Sequence, residues 1–287
     1  MEADIHTLFR SDFYTIRDFK CRCTDCRTSK PEYSDTFCIS FVRKGNFVFN
    51  VFRHSLDSYT GCVLITKPEY ERTVTHAHAV PDECTIFDFR KDFYKELITR
   101  YGKTKFFSDN DLHSTLYTTD AETEFLHFYI LRLIAKRSAS KLQVDNLVIG
   151  IINKVLNGIT DYKPNDQLND RLKRNHLYTI EMAKEYMSEN FNEDISLMDI
   201  ANHCHISPFH FSRIFKTFTS YSPHQFLTGI RLKHAELQLM NTTQPVADIA
   251  FSSGFNSLVH FIAAYRQRYG FSPGKQRAIS KIDDVAL

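Results

Sequence analysis

Residues 200–223 read IANHCHISPFHFSRIFKTFTSYSP, and residues 249–273 read IAFSSGFNSLVHFIAAYRQRYGFSP. Laid one over the other, the two stretches repeat. Ile200-Ala201 returns as Ile249-Ala250, Phe211 as Phe261, Phe215-Lys216 as Tyr265-Arg266, and Ser222-Pro223 as Ser272-Pro273. The offset grows from 49 to 50 residues between the first pair and the second, which puts one inserted residue in the turn of the second copy. Two copies are too few for a solenoid, which takes about three units to bury its faces, so the pattern is a duplicated supersecondary motif.

Each copy spells helix, tight turn, helix. In the first, Ile195 to Cys204 supplies a short amphipathic helix and His205-Ile206 the turn. Ser207 and Pro208 then open the second helix, because a serine hydroxyl accepts from free first-turn N–H groups and proline is already bent for the first helical position. On that helix Phe211, Ile214, Phe215 and Phe218 form the inward face. Phe209, Ser212, Arg213 and Lys216 fall at i, i+3, i+4 and i+7, one outward stripe. Such a stripe after a tight turn suits a major groove. Arg213 can take guanine O6 and N7 together, Phe209 a thymine methyl, and Ser212 a base edge or phosphate. Lys216, near the helix end, suits a phosphate.

In the second copy Gly254 makes the turn, Asn256 or Ser257 caps the next helix, and Phe261 and Tyr265 face inward. The outward stripe is Val259, Ile262, Ala263 and Arg266, mostly apolar. It is expected to supply methyl contacts and shape readout, with Arg266 and Arg268 anchoring the backbone. Between the copies, Pro223 to about Met240 carries Phe226, Leu227, Ile230, Ala235 and Leu239 at helical spacing. That connecting helix would be about 25 to 30 Å long, close to the roughly 34 Å of one DNA turn.

Charge supports the same end of the chain. From Ile195 to Ser280 there are eight basic residues against three acidic ones, within a chain whose overall net charge is only +2. A basic segment on an otherwise slightly acidic chain suits a polyanion.

The run Ile200-Ala201, Ser207, Phe211 to Lys216, Ser222-Pro223, Arg231-Leu232, Ala235, Ile249-Ala250, Gly254-Phe255, Phe261 and Gly270 to Pro273 resembles the DNA-binding domain of the AraC/XylS transcription regulators. The resemblance covers about Leu177 to Ala278. It implies two helix-turn-helix units on a linker helix, base contacts from the stripe around Phe209, Ser212 and Arg213, and a separate sensing or dimerising domain. Ser220 stands where the family often has glycine, Tyr265 where phenylalanine is usual, and Ile262 and Ala263 replace frequent polar residues.

The N-terminal half reads as β-rich. Phe37, Ile39 and Phe41 alternate with Cys38, Ser40 and Val42, and the apolar run resumes from Phe47 to Phe52 after Lys44-Gly45-Asn46, which predicts two strands joined by a tight turn. Further strands are expected near Gly61 to Thr66 and Cys84 to Phe89. Helical spacing begins at about Ala121, through Phe125, Phe128, Leu131, Leu133 and Ile134, and again through Leu147, Ile151, Ile152 and Val155. The half resembles the cupin-type β-barrel of many such regulators. The expectation is an α+β chain: a cupin-like sensing or dimerising domain over residues 1–160, a linker over 161–176 and an all-α double helix-turn-helix domain over 177–280.

Seven cysteines, an odd number, argue against a fully paired disulfide framework. No apolar run approaches the roughly 18 residues needed to span a bilayer, so a cytosolic protein without membrane contact is expected. Cys21, Cys23 and Cys26, with His76 and His78, compose a possible zinc set. That set would suit an Ada-type alkyl-transfer repair regulator, and the two histidines a metal-dependent cupin enzyme. The long helical segment and the missing further ligands speak against both. The cysteines are therefore read as ordinary thiols, and no catalytic residue, metal or cofactor is assigned. Expected partners are a double-stranded DNA operator, RNA polymerase, a small-molecule effector and a second copy of the chain, the last through the helices around Phe125 to Ile134 and Leu147 to Val155.

Overall fold

The computed structural model describes residues 3–22, 28–76, 81–136, 139–159 and 168–283; Cys23, Cys26 and His78 lie outside them. The chain divides into two compact units, Met1–Thr119 with Tyr129–Glu181, and Asp120–Phe128 with Met182–Leu287.

The first unit is built on strands β1 (Ala3–Arg10), β2 (Tyr14–Cys21), β3 (Glu32–Ser34), β4 (Phe37–Lys44), β5 (Asn46–Val51), β6 (His54–Tyr59), β7 (Cys62–Thr66), β8 (Tyr70–His76), β9 (Glu83–Phe89) and β10 (Ser114–Thr118). Helices α1 (Lys91–Tyr101) and α2 (Lys105–Ser108) precede β10. The strands make a six-stranded sheet, β1-β2-β9-β4-β7-β10, and a four-stranded sheet, β3-β8-β5-β6. A closed cupin-like barrel is thus not formed: the described strands lie in two separate sheets.

The hairpin expected around Gly45 is also replaced. Both edges of β4 are occupied, by β7 and β9, while β5 pairs with β6 and β8, so Gly45 is a corner between sheets. Its φ of 79° favours glycine, and a Cβ there would lie 2.5 Å from Asp82 Oδ1.

One face of the six-stranded sheet carries the core. Phe37 pairs Phe89, which pairs Tyr14, and one step along Ile39 pairs Phe87, which pairs Ile16. All six side chains are buried. Helix α4 (Lys141–Gly158) belongs to this unit, with Tyr14 donating to Asp145 at 2.8 Å and Tyr101 to Asn153 at 2.9 Å. Its apolar residues Val144, Val148, Ile151, Ile152, Val155 and Leu156 are all buried. Of the residues expected to serve dimerisation, Ile151, Ile152 and Val155 are thus covered within the unit, while Leu147 is half-buried and Leu142 and Ile149 of the same helix are exposed.

Helices α3 (Ala121–Lys136) and α5 (Asp170–Glu189) contribute residues to both units. The segment expected as a linker is helical from Asp170 onward; residues 160–167 lie outside the description. Lys173 is buried, ion-paired to Asp57 and lies 2.9 Å from Asp170. Burial works against its charge, yet the hydrogen bonds to both carboxylates hold its pKa above the ordinary lysine value.

The second unit is helical: α6 (Leu197–His203), α7 (Pro208–Thr219), α8 (Pro223–Asn241), α9 (Val246–Ser252), α10 (Leu258–Tyr269) and α11 (Pro273–Asp283). Helix α8 is the spine, burying Phe226, Leu227, Ile230, Leu232, Ala235 and Leu239. Leu232, Ala235 and Leu239 join Ile249, Ala250, Phe255, Phe261 and Tyr265 in one core cluster.

Candidate nucleic-acid interface

The repeat in the sequence becomes a repeat in backbone geometry. Ser196 caps α6 in a reciprocal box with Asp199, whose carboxylate accepts from the Ser196 N–H at 2.8 Å. A bond from the Ser196 hydroxyl, and then this one from its N–H, hold the Asp199 pKa below the usual carboxylate value. Ser207 caps α7 and Ser257 caps α10, each hydroxyl accepting from the N–H three residues on. In each turn one residue has a left-handed φ, His205 at 56° and Gly254 at 85°. The following residue closes the same backbone bond in both copies, Ile206 N–H to Ala201 O and Phe255 N–H to Ala250 O, each 3.1 Å.

Those two bonds keep the offset of 49, whereas the caps Ser207 and Ser257 stand 50 apart. Asn256 is therefore the inserted residue. It does not cap the helix; its side chain donates to Asp194 at 3.1 Å.

On α7 the expected faces separate, apart from Ser212, which is half-buried. Phe211, Ile214, Phe215 and Phe218 are buried, while Phe209 is 84% exposed. Arg213 and Lys216 are exposed, and Pro208 and Ser212 half-buried. Arg213 Nη2 lies 3.3 Å from His210 Nδ1, a loose contact that leaves most guanidinium donors available.

On α10 Val259 is 78% exposed, and Ala263 and Arg266 are exposed as well. Ile262, put in the same outward stripe by spacing, instead packs half-buried against the core cluster. Arg268 is engaged by Glu122 through a charge-assisted hydrogen bond and lies 3.7 Å from Asp120. The bond to Glu122 raises its pKa further above the arginine range.

Glu122 was not legible as a partner. It belongs to a nine-residue segment, Asp120–Phe128, that joins this unit from far upstream. Within the segment Glu124 accepts from Lys184 at 2.8 Å, and Phe125 sits edge-on to Phe191. Ala121 meets α8 at Gly229, where a Cβ would come within 2.8 Å of the Ala121 methyl. No spacing rule links positions more than a hundred residues apart.

The first unit holds a separate concavity of about 340 Å³. The inner faces of β4, β7 and β9 supply Cys38, Ser40, Leu64, Cys84 and Ile86, and β5 and β8 supply Phe47, Phe49, Arg72 and Val74. Arg17 and Asp88 pair at 2.7 Å on its wall, and the Cys38 thiol donates to Asp88 at 3.1 Å. Burial, and then the Asp88 charge, push that thiol up to about 11. Arg72 lies over the Phe49 ring at 5.7 Å.

A capped pair of short helices, repeated once on a common spine and each ending in a helix with an exposed stripe, defines a double helix-turn-helix DNA-binding domain. A helix-turn-helix domain model matches residues 200–279. The chain is 29% identical over 106 residues to the bifunctional transcriptional activator/DNA repair enzyme AdaA of Bacillus subtilis, covering 37% of this chain and 50% of that protein. It is 34% identical over 110 residues to the transcriptional regulator ArgR of Pseudomonas aeruginosa, covering 38% and 33%. It is 19% identical over 248 residues to the Msm operon regulatory protein of Streptococcus mutans, covering 86% of both. The chain spans a third to a half of the first two of these relatives. Its C-terminal domain is of the AraC type. No helix among the described residues is long and apolar enough to cross a membrane.

Proposed function

We propose that the chain is a sequence-specific DNA-binding transcription regulator, with Phe209, Ser212 and Arg213 of α7 reading bases and Pro208 and Lys216 seated along the backbone. The observation that carries this is the exposed Phe209 beside Arg213 on a helix whose opposite face is fully buried. A phenyl ring in water gains free energy by burial at roughly 25 cal/mol per Å², and a groove offers that burial next to a guanidinium donor. The second helix contributes Val259, Ala263 and the half-buried Ile262 as apolar contacts and Arg266 as a backbone anchor. Asn256 and Arg268 are partly committed to Asp194 and Glu122, and would contact DNA through their remaining donors or by exchanging those partners.

Helix α8, 19 residues long, spans about 28 Å at 1.5 Å per residue, which suits two readers in successive grooves. The concavity between the sheets of the first unit suits a small effector with an anionic group for Arg72 and an apolar body. RNA polymerase and a second copy of the chain complete the proposed partners, and the regulator reading is taken over an enzymatic one.

The test compares Arg213→Ala with Lys216→Ala. Arg213→Ala is expected to cost about 1–3 kcal/mol on the operator and relax one base preference, while Lys216→Ala weakens all sequences alike and lowers the salt slope by about one. Equal losses on operator and random DNA for both variants would refute the assignment.

A further inference from the structure

We infer that Cys21, His76 and Asp82 form a binding site for one divalent ion of the zinc class. It goes beyond the DNA-binding reading and does not rest on it.

Three elements end at one buried point. Cys21 closes β2 in the larger sheet, His76 closes β8 in the smaller, and Asp82 leads into β9. The Cys21 side chain is 4% exposed and those of His76 and Asp82 are 4% and 2%. Their ligand atoms all lie within 4.8 Å of one another. The Cys21 N–H donates to the Asp82 carbonyl at 2.9 Å, which ties the two backbones together. Gly45 leaves room for the Asp82 carboxylate, since any Cβ there would meet Oδ1 at 2.5 Å.

The distances separate the two ring nitrogens by role. His76 Nδ1 stands 2.7 Å from Asp82 Oδ2, while Nε2 faces Cys21 Sγ at 4.0 Å. Four ångströms is the outer limit for a thiol hydrogen bond. It is close to what two ligands of a single zinc ion require. With Zn–S near 2.3 Å and Zn–N near 2.05 Å, a tetrahedral angle sets sulfur and nitrogen about 3.6 Å apart, and a straight line sets them about 4.4 Å apart. An ion fits between Sγ and Nε2 with an adjustment of a few tenths of an ångström. Asp82 Oδ2 stands 2.7 Å from Nδ1 but out of hydrogen-bond line; a small turn of the ring would close that bond and make Asp82 the outer-shell partner that orients the imidazole.

A thiolate with an imidazole selects zinc or cobalt over magnesium and calcium, which take oxygen donors. Among the described residues Cys21 and His76 face the ion directly; a four-coordinate ion takes its remaining donors beyond these two. Asp82 also lines the concavity between the sheets, so occupancy would couple to the shape of that cavity.

The experiment uses the full chain, reduced and stripped with a chelator, then titrated with cobalt(II) and challenged with zinc. One cobalt per chain is expected, with a thiolate-to-metal charge-transfer band that zinc displaces. Cys21→Ser removes the band, His76→Ala weakens binding more than about 100-fold, and Asp82→Asn weakens it about 10–100-fold as an outer-shell partner. Circular dichroism establishes that each variant is folded. If a variant does not fold, the unsubstituted chain decides: zinc should slow alkylation of Cys21 at least tenfold, read by peptide mass. No band at millimolar cobalt with no zinc protection of Cys21, a band that survives Cys21→Ser, or one lost only when Cys23 and Cys26 are replaced would each overturn the proposal.

Discussion

Gly254→Ala should damage the C-terminal domain far more than Gly270→Ala, although both glycines have left-handed backbones. Their φ angles are 85° and 80°. An L side chain in that region costs about 1–2 kcal/mol, reduced by about 0.5–1 kcal/mol because glycine loses more chain entropy on folding. At Gly270 that is the whole effect, since nothing lies within 4 Å of a built Cβ. About 1 kcal/mol is expected there. At Gly254 the new methyl would stand 2.4 Å from the Phe191 carbonyl oxygen, 2.8 Å from Arg231 Nε and 3.0 Å from Asn192 Cα.

Two of those atoms are backbone, and the third is pinned, because Arg231 donates to Phe191 O and Glu193 O at 2.7 Å each. Overpacking adds about 1–3 kcal/mol, and displacing the guanidinium gives up part of two charge-assisted bonds. The total is about 3–5 kcal/mol, a difference of about 2–4 kcal/mol between the two variants. Hydrogen exchange read peptide by peptide isolates the helices of this unit, and its thermal midpoint should move by about 4–8 °C per kcal/mol. Equal costs for the two substitutions would refute the reasoning. The reverse change also follows: Ser220→Gly, at a φ of 63°, should leave stability unchanged or raise it by up to about 1 kcal/mol.

Ser207→Ala should destabilise the first turn of α7 by about 1 kcal/mol, seen as faster exchange of the His210 amide that Ser207 accepts at 3.3 Å; unchanged exchange would mean the cap contributes nothing. Glu122→Gln should release Arg268, raising affinity for random DNA and steepening its log–log salt dependence by about 0.9. An unaltered slope would take Arg268 away from phosphate. His113 is buried, its ring stacked on Tyr70 at 3.5 Å between centroids. Burial first, and then the Lys67 charge, hold its pKa below the ordinary 6.5. The unfolded chain therefore binds a proton there that the native chain refuses, so stability is full above pH 6.5 and falls as the pH drops toward the lowered native value. His113→Phe should flatten that decline in urea midpoints, and an identical decline in the variant would assign it to other groups.

Much of the C-terminal domain was legible from local chemistry. The cap at Ser207, the proline at the start of α7 and the period of Phe211, Ile214, Phe215 and Phe218 each act within one turn of helix, so spacing along the chain suffices to find them, whereas the second cap was narrowed only to Asn256 or Ser257. The strands of the N-terminal half were legible as alternation, but their partners were not. Period two tells which residues share a face and says nothing about which neighbour supplies the hydrogen bonds, so β4 and β5 looked like a hairpin until both edges of β4 proved occupied.

What the amino-acid order determined by itself was the duplicated motif, its exposed Phe209 and Arg213, and the α+β division of the chain. Only the tertiary structure decided that Asn256 is the inserted residue, that Ile262 turns toward the core, that Glu122 takes Arg268, and that Cys21, His76 and Asp82 meet. The physical reason is range. Caps and helical periods are interactions between residues a few positions apart, whereas ion pairs, sheet registers and ligand clusters join residues that only the folded backbone brings within a few ångströms.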